Sequence, residues 1–295
     1  MILVTGATGF IGPRVVHALR ARDLPVRALV RRADRATQLE RWGCELAQGD
    51  LRDRQSLERA VDRCSVVVHL VSIITGSPAD FDRVMSQGTA DLTTAAQEAE
   101  AGRFVLMSAL GTSEQTRELV PYYRAKWAME QAVKGADLGW VIFRPGFVFG
   151  AAGGVLPTFL RQVRYSPITP VVGTGERRLQ PIWVDDVAAF FAKAVDAPSV
   201  TNRTFELGGP DVLTWNELYA ALAAALGKRR PSVHLPVGLV RAAAALVERL
   251  PQPPITRDQL TMLEVGDNVC DPTEANETFD LEPIGLAEMV QRATG

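Results

Sequence analysis

The first half of the chain alternates short apolar runs with longer segments of helical periodicity. The apolar runs are ILVT at 2–5, VRALV at 26–30, VVVHLV at 66–71, RFVLMS at 103–108 and WVIFRP at 140–145. They are apolar without alternation, which is typical of strands that are buried on both faces. Strand and helix in repeated succession predict the α/β class, a doubly wound parallel sheet with helices on both sides.

In the second half the pattern changes, because glycine and proline recur at close intervals. Two segments there predict helices: TWNELYAALAAALG, where Thr214 and Glu217 have the spacing of a capping box, and VGLVRAAAALVERL at 237–250. We therefore divide the chain into a domain at 1–150 and a smaller C-terminal lobe at 151–295. This lobe is expected to complete the far edge of the sheet and to cover its C-terminal rim.

Composition narrows the class of protein. The 295 residues are 47% hydrophobic and 22% charged with a net charge of −2, which fits an ordinary globular protein and gives no basic footprint for nucleic acid. The cysteines, Cys44, Cys64 and Cys270, form no CxxC pair, so neither a disulfide framework nor a metal site is expected.

The same sequence suggests a location in the cell. The first residues lack a basic segment followed by an apolar one, so we expect no secretory signal. The most apolar late stretch, LPVGLVRAAAALV, has 13 residues and contains Arg241, which is too short and too charged to span a bilayer. We expect a cytoplasmic protein, and association with the periphery of a membrane stays open.

A glycine-rich turn, TGATGFIG, follows the first predicted strand and leads into a helix. Its glycines, Gly6, Gly9 and Gly12, would permit unusual dihedral angles, close approach of a pyrophosphate to the backbone, and tight helix packing. The free N–H groups and dipole of the following helix would favour that anion. The alternative is a tight turn whose glycines serve packing alone.

The end of the second predicted strand bears on which dinucleotide is bound. Arg31 and Arg32 stand where an acidic residue would hold the ribose 2′-hydroxyl of NAD, and no carboxylate follows before Asp34. A guanidinium matches the geometry of the 2′-phosphate, so we expect NADP, with NAD as the alternative cofactor. A solvated basic turn would explain the same residues without a ligand.

Two residues four apart suggest proton chemistry. Tyr122 and Lys126 share one face of a helix that is predicted to start at Pro121. An ammonium group near the phenol would lower the tyrosine pKa from about 10 and suit it to exchange a proton with a substrate oxygen. Tyr123 is interpreted as a packing residue, and His69 as a core or cofactor-adjacent residue.

Several stretches in fixed order resemble the short-chain dehydrogenase/reductase superfamily in its extended or atypical branch. Besides the glycine turn these are GDLRD at 49–53, SALG at 108–111, YYRAK at 122–126, RPGFVFG at 144–150, WVDDVA at 183–188 and LGGPDVLTWNEL at 207–218. Nucleoside-diphosphate-sugar epimerase-like proteins belong to this branch. The tail is similar to that of the NAD(P)H-binding accessory subunit of respiratory complex I. The resemblance implies a Rossmann fold.

The resemblance also implies which residues act. Ser108, Tyr122 and Lys126 would form the catalytic group, in which Ser108 orients the substrate oxygen; a strand-end serine that satisfies backbone groups is the alternative. The cofactor-binding residues would be Gly6, Thr8, Gly9, Phe10, Ile11, Gly12, Arg31, Arg32, Asp50, Leu51, Leu70, Val71, Ser72, Lys126, Pro145, Gly146 and Val148. One position departs from the pattern, because Met85 stands where many extended members have an asparagine that helps to relay protons.

Two hypotheses about function follow. The first is an NADP(H)-dependent oxidoreductase or epimerase-like enzyme that acts on a small carbonyl or alcohol through the Ser-Tyr-Lys group. The second is a non-catalytic NADPH-binding protein, structural or sensing, that docks on a respiratory or membrane partner. The intact YxxxK spacing favours the enzyme, and Met85 together with the late apolar helix favours the binder. The substrate and the oligomeric state stay open.

Overall fold

The computed structural model describes residues 1–247 and 256–294. Its strands are β1 Ile2–Thr5, β2 Val26–Val30, β3 Glu45–Gln48, β4 Val66–His69, β5 Arg103–Met107, β6 Gly139–Pro145, β7 Val148–Gly150, β8 Gly153–Gly154, β9 Thr169–Val172, β10 Arg178–Leu179, β11 Ile182–Trp183, β12 Arg203–Leu207, β13 Leu213–Thr214 and β14 Ser232–Leu235. Its α-helices are α1 Gly12–Arg20, α2 Thr37–Arg41, α3 Arg54–Val61, α4 Pro78–Phe81, α5 Gly88–Glu98, α6 Pro121–Lys134, α7 Leu156–Tyr165, α8 Val184–Ala194, α9 Trp215–Ala225, α10 Val237–Val247, α11 Arg257–Glu264, α12 Thr273–Phe279 and α13 Leu286–Thr294. Short 3₁₀ turns lie at Ala33–Arg35 and Thr116–Glu118, and Asp82–Gln87 is a π-helical turn.

The large sheet has seven strands in the order β12–β6–β5–β4–β1–β2–β3. All of its neighbours are parallel. The strand order reverses beside β1, whose two neighbours are β2 and β4, and a doubly wound sheet binds its ligand at such a switch point. The predicted α/β fold with a doubly wound parallel sheet is confirmed.

Each of the five apolar runs forms a strand of this sheet, and the helix predicted from Pro121 is α6. The strand β3 has no such run, because its sequence ELAQ is half exposed at the sheet edge and needs no continuous apolar surface. The helix predicted at 237–250 is α10 up to Val247, and the rest of that prediction lies outside the described residues. No helix in the described parts of the chain has the length and apolar character to cross a membrane.

Both faces of the sheet are buried. One face packs with α3, α5 and α6 in a core that includes Leu57, Leu92 and Met129. On the other face Phe143 of β6 lies against the rings of α8 and α12, with Phe191 at 4.9 Å and Phe279 at 5.4 Å between ring centroids. Since adjacent strand residues point to opposite faces, the continuous apolar runs supply both cores.

The contacts divide the chain into two units. The first unit contains Met1–Pro145, Val184–Leu207 and Pro272–Glu282 and carries the large sheet. The second contains the described parts of Gly146–Trp183, Gly208–Asp271 and Pro283–Gly295, with a three-stranded sheet β11–β7–β8 and the pairs β9–β14 and β10–β13.

Within the second unit the capping box of Thr214 and Glu217 is formed as predicted at the start of α9. The assignment of cofactor binding to residues 1–150 and of substrate binding to 151–295 stays a prediction.

Candidate cofactor and proton-transfer site

The glycine turn lies between β1 and α1, where the sequence places it. Gly6 has a φ of +73°, and a side chain there would come within 3.0 Å of the backbone of Leu70 and Val71. A side chain at Gly12 would overlap the carbonyl oxygen of Gly6. These two glycines are therefore required by the turn itself, whether or not a ligand is bound.

Gly9 differs from its neighbours because the protein does not fill the space beside it. Gly9 is exposed, and an added Cβ would meet the carbonyl oxygen of Gly6 at 3.2 Å and no other atom within 4 Å. The α1 helix that follows has no capping side chain and no acidic residue in its first turn, so its N–H groups and dipole favour an anion. This cradle fits a dinucleotide pyrophosphate. Thr8 beside it is exposed, and Phe10 and Ile11 are half-buried.

The two arginines after β2 differ in their partners. The guanidinium of Arg32 donates to both carboxylate oxygens of Asp34, at 3.1 and 2.6 Å, and thereby lowers the pKa of Asp34. Arg31 is exposed and has no ion pair within the described residues. Of the two, Arg31 has its guanidinium available for a phosphate.

The loop after β3 contains the predicted adenine-contacting residues. Arg52 donates to both carboxylate oxygens of Asp50 and lowers its pKa, and the charge of Arg31 lowers it further. Leu51 is buried and packs where Gly88 leaves room, since a Cβ at Gly88 would lie 2.9 Å from that of Leu51.

The loop after β4 runs beside the glycine turn. Leu70 is buried, and Val71 and Ser72 are half-buried. The hydroxyl oxygen of Ser72 is inaccessible to solvent, yet it makes no hydrogen bond of normal geometry within the described residues. A buried polar atom without a partner is rare in proteins and indicates a place for a ligand group or a water molecule.

Tyr122 lies in the first turn of α6, with its ring edge-to-face against Phe81 at 6.4 Å and Tyr123 at 5.7 Å. Burial raises the pKa of the phenol well above 10, and the nearby Ser72 hydroxyl opposes that rise only in part. The two hydroxyls are therefore close, although Ser72 makes no hydrogen bond of normal geometry. The sequence-based expectation of a lowered tyrosine pKa is wrong in this structure, because the loss of solvent outweighs any effect of Lys126.

Lys126 is fully buried one turn further along α6. Its ammonium nitrogen donates to the carbonyl oxygen of Met107 at 2.9 Å and lies 5.8 Å from the centroid of the Tyr122 ring. Burial lowers the pKa of Lys126 to about 7, although the charge of Glu130 opposes this. The side chain therefore changes charge near neutral pH.

Ser108 follows β5 and is also buried, but its hydroxyl points to another partner. It donates to a carboxylate oxygen of Glu130 at 2.6 Å. Arg144 donates to both oxygens of Glu130, at 2.8 and 2.7 Å, and Lys134 donates to one at 3.1 Å. Burial alone would raise the pKa of Glu130, but these donors lower it overall. The described residues show no hydrogen bond from Ser108 to Tyr122.

His69 and Met85 are both buried. His69 lies between the hydroxyls of Thr5, at 2.5 Å from Nδ1, and Thr89, at 2.9 Å from Nε2, so it has two partners that the sequence did not reveal. Burial, and next the charge of Lys126, lower the pKa of His69 to about 3, which keeps the ring neutral. Met85 packs in the core within the π-helical turn.

The remaining predicted cofactor residues lie around the end of β6. Pro145 is the last residue of β6, and its carbonyl oxygen accepts from the Leu110 amide. Gly146 and Val148 belong to the second unit, where Val148 pairs with Ile182 of β11. Cofactor binding by these three residues stays a prediction.

Sequence reasoning missed Glu130 and Arg144. A signal was present, because Tyr122, Lys126 and Glu130 recur every fourth residue and so share one face of α6. A buried acid predicts a buried cation, and Arg144 interrupts the apolar run of β6.

Comparison with known proteins supplies the family. Residues 6–198 match a family described as NAD(P)H-binding. The chain belongs to this family. The predicted cofactor, NADP(H) with NAD as the alternative, agrees with that membership, as does the resemblance to short-chain dehydrogenases/reductases.

Two curated relatives and one solved structure are similar to this chain. The NAD(P)H azoreductase of Xenophilus azovorans is 33% identical over 311 residues, which cover 100% of this chain and 93% of the relative. The mitochondrial NADH dehydrogenase [ubiquinone] 1 alpha subcomplex subunit 9 of Arabidopsis thaliana is 29% identical over 302 residues, covering 96% of this chain and 74% of the relative. The NADPH-dependent quinone oxidoreductase of Escherichia coli, solved with NADPH, has a TM-score of 0.80 at 20% identity and matches over 100% of both chains. That last likeness shows a common fold.

Proposed function

We propose that this protein is an NADPH-dependent reductase of small carbonyl or quinone acceptors, with Tyr122 as the proton donor. The observation that carries the proposal is a partly buried tyrosine whose pKa is raised, lying beside the Ser72 hydroxyl, which makes no hydrogen bond of normal geometry among the described residues. The azoreductase and quinone oxidoreductase relatives support the direction of the reaction.

The protonation state of Tyr122 argues for reduction. When an acceptor receives a hydride, its oxygen gains negative charge and needs a hydrogen-bond donor or a proton. A phenol whose pKa is raised stays protonated and can supply both. Oxidation of an alcohol would need the phenolate, which burial disfavours.

Each residue of the site has a separate role in the proposed reaction. The cradle at Gly9 and the N-terminus of α1 would hold the cofactor's pyrophosphate, and the exposed Arg31 would contact the 2′-phosphate. Bound NADPH supplies the hydride. Tyr122 and Ser72 would hold the acceptor oxygen, and Lys126 would support the bound ribose. Ser108, whose hydroxyl is engaged by Glu130, has no direct part in this scheme.

The test is turnover of NADPH with a panel of ketones, aldehydes, quinones and an azo dye. Tyr122→Phe should lower kcat by roughly 10² to 10⁴, the usual contribution of a positioned acid, and leave NADPH affinity within a few-fold. Tyr123→Phe is the matched control, because Tyr123 is buried beside it and should tolerate the change. Equal loss in both variants, or no turnover with any acceptor, contradicts the proposal.

A second function is supported by a separate observation. Met85 is buried in the core at the position where a proton-relaying residue is expected, and a relative is a subunit of a respiratory complex. On this alternative the protein binds NADPH without turnover and docks on a protein partner. Absence of turnover together with a recovered respiratory partner, whose binding Tyr122→Phe leaves intact, favours this alternative over the reductase.

A further inference from the structure

The second unit contains two segments without a single acidic residue, 151–175 and 218–247. They carry six cationic side chains in a chain whose net charge is −2: Arg161, Arg164, Lys228, Arg229, Arg230 and Arg241. An uneven distribution of this kind creates a local positive potential on a protein that is acidic overall.

The fold brings the two segments together. β9 of the first segment pairs with β14 of the second, in the register Thr169 to Ser232. Arg230 donates to the carbonyl oxygens of Val163, at 2.9 Å, and Arg164, at 3.3 Å. The charges of both segments therefore lie on one part of the surface.

Four of the cations have no carboxylate partner among the described residues. Arg161, Arg164, Lys228 and Arg229, which we term the cationic edge, are exposed, and none pairs with a carboxylate among residues 1–247 and 256–294. By contrast Arg241 pairs with Glu264. Exposed apolar side chains are interspersed with the cationic edge: Tyr165 at 76%, Ile168 at 40% and Val233 at 37% exposure.

The helix α10, which directly follows β14, is apolar on the side that faces solvent. Its inward positions are Val237, Val240, Arg241, Ala244 and Val247, which are half-buried or buried. Its outer face consists of Gly238, Leu239, Ala242, Ala243, Ala245 and Leu246, and all six are exposed. A helix facing water ordinarily carries polar residues there. Leu239 is 62% and Leu246 82% exposed.

We propose that the cationic edge and the outer face of α10 together dock on the surface of a membrane that contains anionic lipid. Exposed aliphatic and aromatic side chains enter the boundary between headgroups and acyl chains, and unpaired lysine and arginine attract the lipid phosphates. The absence of any acid in both segments favours this occupant over a protein, whose surface presents charges of both signs. The proposal stands independently of the reductase function.

Co-sedimentation with vesicles tests the docking. The protein should bind vesicles of 70% phosphatidylcholine and 30% phosphatidylglycerol, bind pure phosphatidylcholine much less, and lose binding as salt is raised. Lys228→Glu with Arg229→Glu should weaken binding at least about 25-fold, at about fivefold per cation. Leu246→Asp should weaken it by about tenfold, since it removes an inserted aliphatic group.

Matched controls come from elsewhere on the surface. Arg59→Glu with Arg63→Glu changes net charge equally on exposed arginines of the first unit, and Val212→Asp alters another exposed aliphatic residue. Both should bind vesicles within about twofold of the parent. Thermal unfolding and NADPH binding establish that each variant is folded.

Three outcomes would overturn the proposal. One is no binding to the anionic vesicles at low salt. Another is an equal loss of vesicle binding in the control variants and in the variants of the cationic edge and of the outer face of α10. The third is a concentration-dependent dimer, detected by light scattering, which Leu246→Asp dissociates while vesicle binding is unchanged; the surface would then join two copies of this chain.

Discussion

Two groups of buried and partly buried polar side chains lie on and beside α6, and they differ in how far their hydrogen bonds are satisfied. In the paired cluster, Glu130 accepts from Ser108, Arg144 and Lys134. In the open cluster, Tyr122 and Lys126 lie two turns and one turn before Glu130. The Ser72 hydroxyl lies beside Tyr122 but makes no hydrogen bond of normal geometry among the described residues, and Lys126 donates to a single carbonyl oxygen.

The difference separates structural polar groups from functional ones. Buried polar groups in folded proteins are nearly always hydrogen-bonded, and a satisfied network stabilises one packing arrangement. A buried polar group without a hydrogen bond instead indicates a position where a ligand or a water molecule binds. The paired cluster therefore holds α6 to β6, and the open cluster is where we propose that cofactor and acceptor bind.

Breaking the paired cluster should have the largest effect. Glu130→Gln removes the charge that compensates Arg144 and Lys134 and should lower the free energy of unfolding by about 3 to 5 kcal/mol. Urea denaturation measures this. The control, Glu58→Gln, loses an exposed pair with Arg54 and should change stability by less than about 1 kcal/mol. A loss at Glu130 as small as the control's would remove the distinction between the clusters.

The open cluster should make the stability of the protein depend on pH, because it contains Lys126. Lys126 has a pKa of about 7 when folded and about 10.4 when unfolded, so between these values the unfolded chain holds a proton that the folded chain lacks. Stability from this group then rises with pH, by up to about 1.4 kcal/mol per unit. Comparing Lys126→Met with the parent at pH 7 and pH 9 isolates the effect, and Lys228→Met, on an exposed lysine, is the control. Parallel stability curves for the parent and Lys126→Met would show that Lys126 is charged throughout.

The two serines give a direct contrast. Ser108→Ala removes a hydrogen bond to a charged carboxylate and should cost about 1.5 to 3 kcal/mol. Ser72→Ala removes a hydroxyl that makes no hydrogen bond of normal geometry within the described residues, and should change stability by less than about 0.5 kcal/mol. Steady-state kinetics should show the reverse order, with kcat/KM falling about tenfold in Ser72→Ala and within threefold of the parent in Ser108→Ala. The opposite kinetic order would return Ser108 to the catalytic group.

The arginines after β2 extend the comparison to the surface. Arg31→Ala should lower NADPH affinity by about tenfold, because its guanidinium is available for the 2′-phosphate. Arg32→Ala should have a smaller effect, since Asp34 already engages that side chain. Calorimetric titration with NADPH and NADH measures both. If the variant with both arginines replaced by alanine keeps the parent's preference for NADPH over NADH, the 2′-phosphate binds elsewhere.

Much of the site could be predicted from local pattern. The turn that needs Gly6 and Gly12 was visible because backbone geometry admits few other residues there. The pairing of Ser108 with Glu130 was hidden, because these residues are 22 positions apart and meet only when β5 packs beside α6. The partners of His69 were hidden for the same reason, since Thr5 and Thr89 come from separate elements.

By itself the sequence determined the five apolar strands of the large sheet, the glycine turn and the shared face of Tyr122 and Lys126, because these depend on residues near one another along the chain. Tertiary structure alone decided which polar groups are satisfied and which way each pKa moves. Burial is set by everything packed around a group, so the phenol expected to be acidic has a raised pKa, and Lys126 has one near 7.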